Sequence, residues 1–340
     1  MYIGSFSSLG DPPGRGLEVG EVDRRTGALT LTGAVEGVPD ASWLALSLDR
    51  HTLYSTKELR PDGQVAALSI AEPARPVMLS TRPSRGAGPT HLSVHPSGRF
   101  LLTANYTDGS VAVHRLERDG SIGESTDLVR HTGAERAAHA HQVLTDPSGR
   151  WVLAVDLGAD SVYVYRLDLN RGTLRQCRQV RLPAGAGPRH LAFHPHGRFA
   201  YILGELRSEI TVAAWEPAAG RLTPGQVIPT VGPDAPGPSF PAEVAVSRDG
   251  RFVYASNRGE NGIAMFTVHD SGRRLELAGS TPSGGDWPRH LTLSPDERWI
   301  YVANQQSHAI TWLPRDPESG RLGAPAGSAP VNNVGVVLFR

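Results

Sequence analysis

The chain reads as an all-β protein, a seven-bladed β-propeller with four-stranded antiparallel blades. Three observations predict this. Short apolar runs rich in β-branched and aromatic residues alternate with Gly/Pro turns. One three-strand segment recurs about six times, with its central turn repeating roughly every 50 residues. Unmatched strands at the two ends supply the parts of one further unit.

The pattern is clearest in GPRHLAFHPHGRFAYILGELRSEITVAAW, from Gly187 to Trp215. Its apolar runs LAF, FAYIL and ITVAAW are broken by the turn HPHGR and the loop GELRSE, which predicts three antiparallel strands joined by hairpins. Other copies start at Ser42 (degenerate), Gly88, Ala138, Pro241 and Trp287. A less regular apolar segment follows each copy and suits a fourth strand. Four strands per repeat of this length point to a propeller rather than a sandwich or a helical solenoid. The N-terminal runs MYIGSF, GLEVGEV and ALTLTGAV look like strands two to four of a blade lacking its first. The C-terminal VGVVLFR would supply that strand and close the ring, which removes an unpaired sheet edge. Residues 1–340 are therefore read as one propeller domain.

The totals narrow the functions. Formal net charge is +0 with a sequence pI near 7.3, which argues against general electrostatic binding of nucleic acid or membrane. Nearly all positive charge is Arg. Lys57 is the one lysine, which disfavours Schiff-base chemistry. The single cysteine, Cys177, excludes an intrachain disulfide framework and a Cys-based metal site. No apolar run reaches membrane-span length, and MYIGSFSS lacks the basic and apolar regions of a secretory signal, so a cytoplasmic protein is the default expectation, and a closed ring makes a monomer the default oligomeric state.

In a propeller the first strand of each blade lines the central channel. The start of strand one and the end of strand two then share one face, and the turn between them lies on the other. Strand-one starts carry Thr90 and His91, His139, His141 and Gln142, Arg189 and His190, Glu243, and Arg289 and His290. Strand-two ends carry Lys57 and Glu58, Asn105, Asp156, Glu205, Asn257 and Arg258, and Asn304. Alternation along a strand predicts that only one of Arg189 and His190 faces the channel. Repetition of His91, His190 and His290 also fits a hydrogen bond between blades. The HAHQ segment, His139 to Gln142, occurs in one blade only, which favours function. Glu205 is an acid where most other blades use Asn or Asp, and an ion pair with Arg189 of its own blade is the plainer reading. His95, His194 and His196 lie in the far-face turns and are expected to be solvent-exposed.

No G-x-S-x-G elbow, H-E-x-x-H, Walker loop or G-x-G-x-x-G before a helix is present. The chemistry then falls to His, Arg, Glu and water, with no cofactor and no metal.

GPTHLSVHPSGRF, AHAHQVLTDPSGRWVLAVDLGADSVYVYRLD, GPRHLAFHPHGRFAYILGEL and AEVAVSRDGRFVYASNRG resemble the lactonase family of seven-bladed β-propellers. That family includes propeller-type 6-phosphogluconolactonases and the 3-carboxy-cis,cis-muconate lactonising enzyme. The resemblance covers essentially the whole chain. It implies a catalytic set of one His, two Arg and one Glu, which by motif fall on His141 (HAHQ), Arg189 (GPRH), Glu205 (GEL) and Arg258 (SNRG). Gly204 stands where the family often has Asn, and Ala138 where Pro is common. The remaining channel-face residues, His139, Gln142, His91, His190, Glu243, Asn257, Arg289 and His290, are candidate substrate contacts. The implied activity is hydrolysis of an anionic sugar lactone such as 6-phosphogluconolactone, with His141 or Glu205 as general base and arginines holding the oxyanion and the substrate's own charge. Three alternatives are a lactonising cycloisomerase, a calcium-dependent lactonase using Glu58, Asn105, Asp156, Glu205 and Asn257, and a non-enzymatic binding scaffold.

Overall fold

A computed structural model describes residues 1–235 and 237–340. Seven four-stranded antiparallel sheets are arranged as blades, and the only helical element among the described residues is the short 3₁₀ turn Asp270–Gly272. Blade 1 is the closing blade: C-terminal Val334–Leu338 is its inner strand, followed outward by Tyr2–Ser5, Leu17–Val22 and Leu29–Val35. Tyr2 pairs with Leu338 and Ile3 with Val337, so the two ends of the chain share one sheet. Blades 2 to 7 begin at Leu44, Pro89, Ala140, Pro188, Phe240 and Pro288. The inner strands pack against one another round the whole axis, including across the closing blade. No helix is long and apolar enough to cross a membrane.

The inner strands depart from simple alternation at their starts. Register shifts fall between Pro89 and His91, Ala140 and Gln142, Pro188 and Leu191, Pro241 and Val244, and Pro288 and His290. A bulge lets two successive side chains leave the strand on one side and re-aims them. Proline or alanine at these positions makes few demands on the ladder. The bulges therefore place pairs of polar residues toward the axis.

Second strands lock each blade to the next. The Tyr54, Tyr201, Tyr254 and Tyr301 hydroxyls donate to the carbonyls of Gly120, Gly272, Gly320 and Gly27, at 2.9, 3.1, 2.6 and 2.6 Å. Each glycine belongs to the outer hairpin of the following blade and has positive φ, which a side chain would strain. At Gly320 a Cβ would also come within 2.5 Å of Phe252. Where blade 4 meets blade 5, Trp151 takes the same place: its indole covers Gly220, and Nε1 donates to Pro217 O at 2.8 Å. Apolar clusters fill the spaces between blades, for example Leu153, Val155, Ala200, Ile202 and Trp215 between blades 4 and 5. The core is thus shared between sheets, so losing one blade would expose two apolar faces.

Two far-face histidines depart from the sequence expectation. His95 and His194 are buried, not solvent-exposed. His95 Nδ1 is capped by Ser97, and His194 Nε2 donates to Gly250 O of the next blade at 3.1 Å. Burial lowers the pKa of both. His196 is exposed as expected. The turn sequence signalled local polarity and could not signal that the neighbouring blade's turn covers it.

Candidate active site

On the channel face a cavity of about 220 Å³ opens at the axis. Its wall draws on all seven blades. His141 comes from the inner strand of blade 4, Glu205 from the end of strand two in blade 5, and Arg258 from the corresponding end in blade 6. Arg289 and Gln305 come from blade 7, and Phe6 and Leu9 from the loop after Tyr2–Ser5. Glu58 and Arg60 follow strand two of blade 2, and Thr90 and Tyr106 belong to blade 3. A larger hollow of about 600 Å³ lies on the opposite face, beside the Ser294–Asp296 turn. Convergence of ionisable groups, not size, marks the channel face as the candidate.

Glu205 is the hub. Its Oε2 lies 2.9 Å from Arg258 Nη2 and 3.3 Å from Arg189 Nε. Neither approach is aligned as a hydrogen bond, and both nitrogens are buried without an acceptor among the described residues. Arg258 Nε donates instead to Phe240 O at 2.9 Å, and Arg189 Nη1 donates to Ala242 O. The guanidiniums are therefore anchored by backbone carbonyls, with the Glu205 carboxylate between them. Burial, together with neighbouring Arg258 and Arg289, lowers the Arg189 pKa to about 9, so it remains a cation at neutral pH.

His141 is buried, and its Nδ1 has no partner among the described residues. Its ring stands edge-on to Tyr106 at 5.5 Å and to His190 at 5.0 Å. Burial first, then Arg189, His190, Arg289 and Arg258, hold its pKa well below the ordinary imidazole value. His141 is thus a neutral imidazole at pH 7, with one ring nitrogen unpaired.

Beneath the cavity the axis is plugged. The Trp43 ring lies 4.3, 5.1 and 5.3 Å from the rings of His91, His190 and His290. Each of these histidines bonds to the next blade. His91 Nδ1 accepts from Val143 N at 3.4 Å, and His290 Nδ1 from Val337 N at 3.5 Å. His190 Nδ1 donates to Glu243 Oε1 at 2.9 Å. Gln142 Oε1 accepts from Leu191 N at 2.8 Å, and Asn257 Nδ2 donates to Thr230 O at 2.8 Å. His139 stacks on Tyr106 with ring centroids 4.6 Å apart, and its Nδ1 donates to Tyr106 O. Of the sequence-derived candidates, then, His141, Glu205, Arg258 and Arg289 line the cavity, with Arg189 directly behind Glu205. His91, His139, Gln142, His190, Glu243, Asn257 and His290 lie outside the wall, engaged in contacts that join blades or brace the wall from behind.

The alternation rule also gives way here. Both Arg189 and His190 face the axis, and Arg189 Nη1 is 3.5 Å from His190 Nε2, because of the bulge between Pro188 and Leu191. The wall residues Phe6, Leu9, Arg60, Tyr106 and Gln305 escaped the sequence reading, since they follow strand ends by a few residues in loops of irregular length. The repeat did flag the neighbouring Glu58 and Asn105.

Of the residues proposed for calcium, Glu58 and Glu205 alone line the cavity. Asn105 and Asn257 bond to carbonyls of Ser84 and Thr230, and Asp156 Oδ2 is paired with His131 at 2.7 Å. No group of three or more His, Cys, Asp or Glu side chains among the described residues has metal-holding geometry.

Arranged this way, the mouth can receive an anion, offer guanidinium N–H groups to a developing oxyanion, and take up a proton on an imidazole. The comparisons with known proteins agree with this architecture. The family model "Lactonase, 7-bladed beta-propeller" matches residues 1–339. A 6-phosphogluconolactonase of Bacillus subtilis is 32% identical over 94% of this chain and 92% of its own length. A second 6-phosphogluconolactonase, from Formosa agariphila, is 29% identical over 95% and 94%. Among solved structures, a Lactobacillus plantarum protein superposes with a TM-score of 0.91 at 30% identity, covering 98% of this chain and 96% of that one. The periplasmic gluconolactonase of Pseudomonas aeruginosa does so with 0.92 at 28% identity, covering 98% and 97%. With a ring closed through its terminal strands and a family match along nearly its whole length, the chain belongs to the lactonase family of seven-bladed β-propellers.

Proposed function

We propose that the protein hydrolyses an anionic sugar lactone of the 6-phosphogluconolactone type, at the channel mouth. The observation that carries this reading is the unpaired imidazole nitrogen of His141 in the same cavity wall as Glu205, which lies between the Arg189 and Arg258 guanidiniums. Relatives named 6-phosphogluconolactonase, and a structural neighbour titled as a gluconolactonase, support the substrate class.

In the proposed reaction the lactone carbonyl lies against Arg258, with Arg189 adding its charge from behind Glu205. Neutral His141 takes a proton from a water as its oxygen attacks the carbonyl carbon. The carbonyl π electrons move to oxygen, and the guanidiniums stabilise the resulting oxyanion. Collapse of the tetrahedral intermediate breaks the ring C–O bond. The imidazolium returns its proton to the leaving alkoxide, giving the open hydroxy acid. Glu205, held between two cations, is assigned to orienting them rather than to accepting the proton. The low basicity of His141 in the empty site is offset when an anionic substrate enters beside it, because negative charge favours the imidazolium.

The test is steady-state hydrolysis of 6-phosphoglucono-δ-lactone followed by proton release, corrected for spontaneous opening. Replacing His141 by Ala and Arg258 by Met, singly, is expected to lower kcat/KM by roughly 10²-fold or more. Wild-type rates in both variants would refute the assignment.

A further inference from the structure

The cations at the mouth are not equivalent. Arg189 and Arg258 share Glu205. Arg60 reaches Glu58 Oε1 at 3.2 Å. Arg289, also in the wall, makes no hydrogen bond and no ion pair among the described residues. Its guanidinium lies 5.0 Å over the ring of Phe6, a contact that uses no N–H group. Glu58 and Glu205 favour its charge through space without pairing with it, and a guanidinium taken from bulk water without a hydrogen-bond partner is completed by an anion at its N–H groups.

Position in the ring separates the two ends of the cavity. His141, Arg189, Glu205 and Arg258 belong to blades 4, 5 and 6. Arg289, Phe6 and Arg60 belong to blades 7, 1 and 2, the other part of the circle. A small ligand whose reacting carbonyl sits over blades 4 to 6 extends its far end over blades 7 to 2. The cavity, at about 220 Å³, is matched to a single sugar unit and not to a polymer. A neutral sugar would give Arg289 no counter-charge there. A phosphate monoester would, because its oxygens accept from the planar guanidinium fork in pairs, and its second charge can engage Arg60. Arg60 suits that second contact, because its side chain is 55% exposed at the rim and tethered at one nitrogen by Glu58.

We infer that Arg289 seats the distal phosphate of the substrate, with Arg60 closing on it from the rim, and that this pair selects phosphorylated over unphosphorylated sugar lactones. The inference rests on the lactonase reading above. It assigns substrate choice to residues of blades 7 and 2, Arg289 standing in the blade next to that of Arg258.

The experiment compares kcat/KM on 6-phosphoglucono-δ-lactone and on glucono-δ-lactone. Wild-type protein should prefer the phosphorylated lactone. Arg289→Met, which keeps an apolar stem against Phe6, should lower the ratio of the two values by about 10- to 100-fold, chiefly through KM for the phosphorylated substrate. Arg289→Lys should restore part of the ratio, and Arg60→Gln should lower it by up to about 10-fold. Inorganic phosphate should inhibit the wild type competitively, and Arg289→Lys less, a readout that stands if the Met variant does not fold. An equal fall on both substrates in Arg289→Met would overturn the inference and leave the lactonase reading intact. So would a wild-type preference for the unphosphorylated lactone. Hydrolysis of neither lactone by the wild type would overturn both.

Discussion

Glu205 and Arg258 meet across the junction of blades 5 and 6, with Oε2 2.9 Å from Nη2, yet the contact is not aligned as a hydrogen bond. The arginine is held by Phe240 O through Nε, and the carboxylate between it and Arg189 offsets the repulsion of the two cations. That division of labour leads to the first prediction. Glu205→Gln removes the negative charge between Arg189 and Arg258 while preserving shape. Mutual repulsion of the two cations should then displace them, and kcat should fall by roughly 10- to 100-fold with a smaller change in KM. Steady-state kinetics on the lactone would check this, and an unchanged kcat would count against a hub role for Glu205.

The buried histidines make a prediction about pH. His91, His141, His190 and His290 all have pKa values lowered by burial, that of His290 to about 4. The unfolded chain, with pKa near 6.5, binds these protons first. Stability is therefore full above about pH 6.5 and is lost as pH falls below it, by up to about 1.4 kcal/mol per histidine for each unit. Denaturant midpoints should hold between pH 7 and 8 and decline toward pH 5. His91→Gln should reduce the slope by about one proton. A midpoint that rises on acidification would contradict the burial of this cluster.

A third prediction concerns the blade locks. The Tyr254 hydroxyl donates to Gly320 O at 2.6 Å and accepts from Arg315 Nε at 2.7 Å. Tyr254→Phe leaves a buried guanidinium short of a partner and should cost about 1.5–3 kcal/mol. Gly320→Ala should cost about as much or more, from positive φ and the clash with Phe252. Equilibrium unfolding would measure both, and neutral values would show that the latch contributes little.

The fourth prediction follows from Asp156. Its Oδ1 accepts from His139 N and Ala159 N, each at 2.8 Å, and its Oδ2 pairs with His131, whose Nε2 accepts from Tyr165 at 2.8 Å. This buried chain holds the start of the strand that carries His141. Asp156→Ala should destabilise by about 3–5 kcal/mol, since it strands His131 and two amides together. Thermal unfolding provides the check.

Much of the fold was legible because the repeat is written in turns and alternating apolar runs, and because GLEVGEV and VGVVLFR had no partners except each other's blade. The site was legible in part. In the repeat, His141 stood out as part of an extra-His segment and Glu205 as a Glu where most other blades carry Asn or Asp, while Arg258 was picked out by the SNRG resemblance. What stayed hidden depends on neighbouring blades. Bulges turned both Arg189 and His190 toward the axis, which periodicity alone does not encode. Trp43, in the degenerate copy, plugs the channel beneath three histidines that looked free to touch a ligand. Arg60, Tyr106 and Phe6 reach the mouth from loops, whose paths the repeat does not fix.

The most direct test of the account is the kcat/KM of His141→Ala on 6-phosphoglucono-δ-lactone, measured alongside its unfolding midpoint. A fall of roughly 10²-fold or more in a variant that still folds cooperatively is the predicted result. A folded variant that hydrolyses the lactone at the wild-type rate would contradict the placing of the chemistry at this mouth.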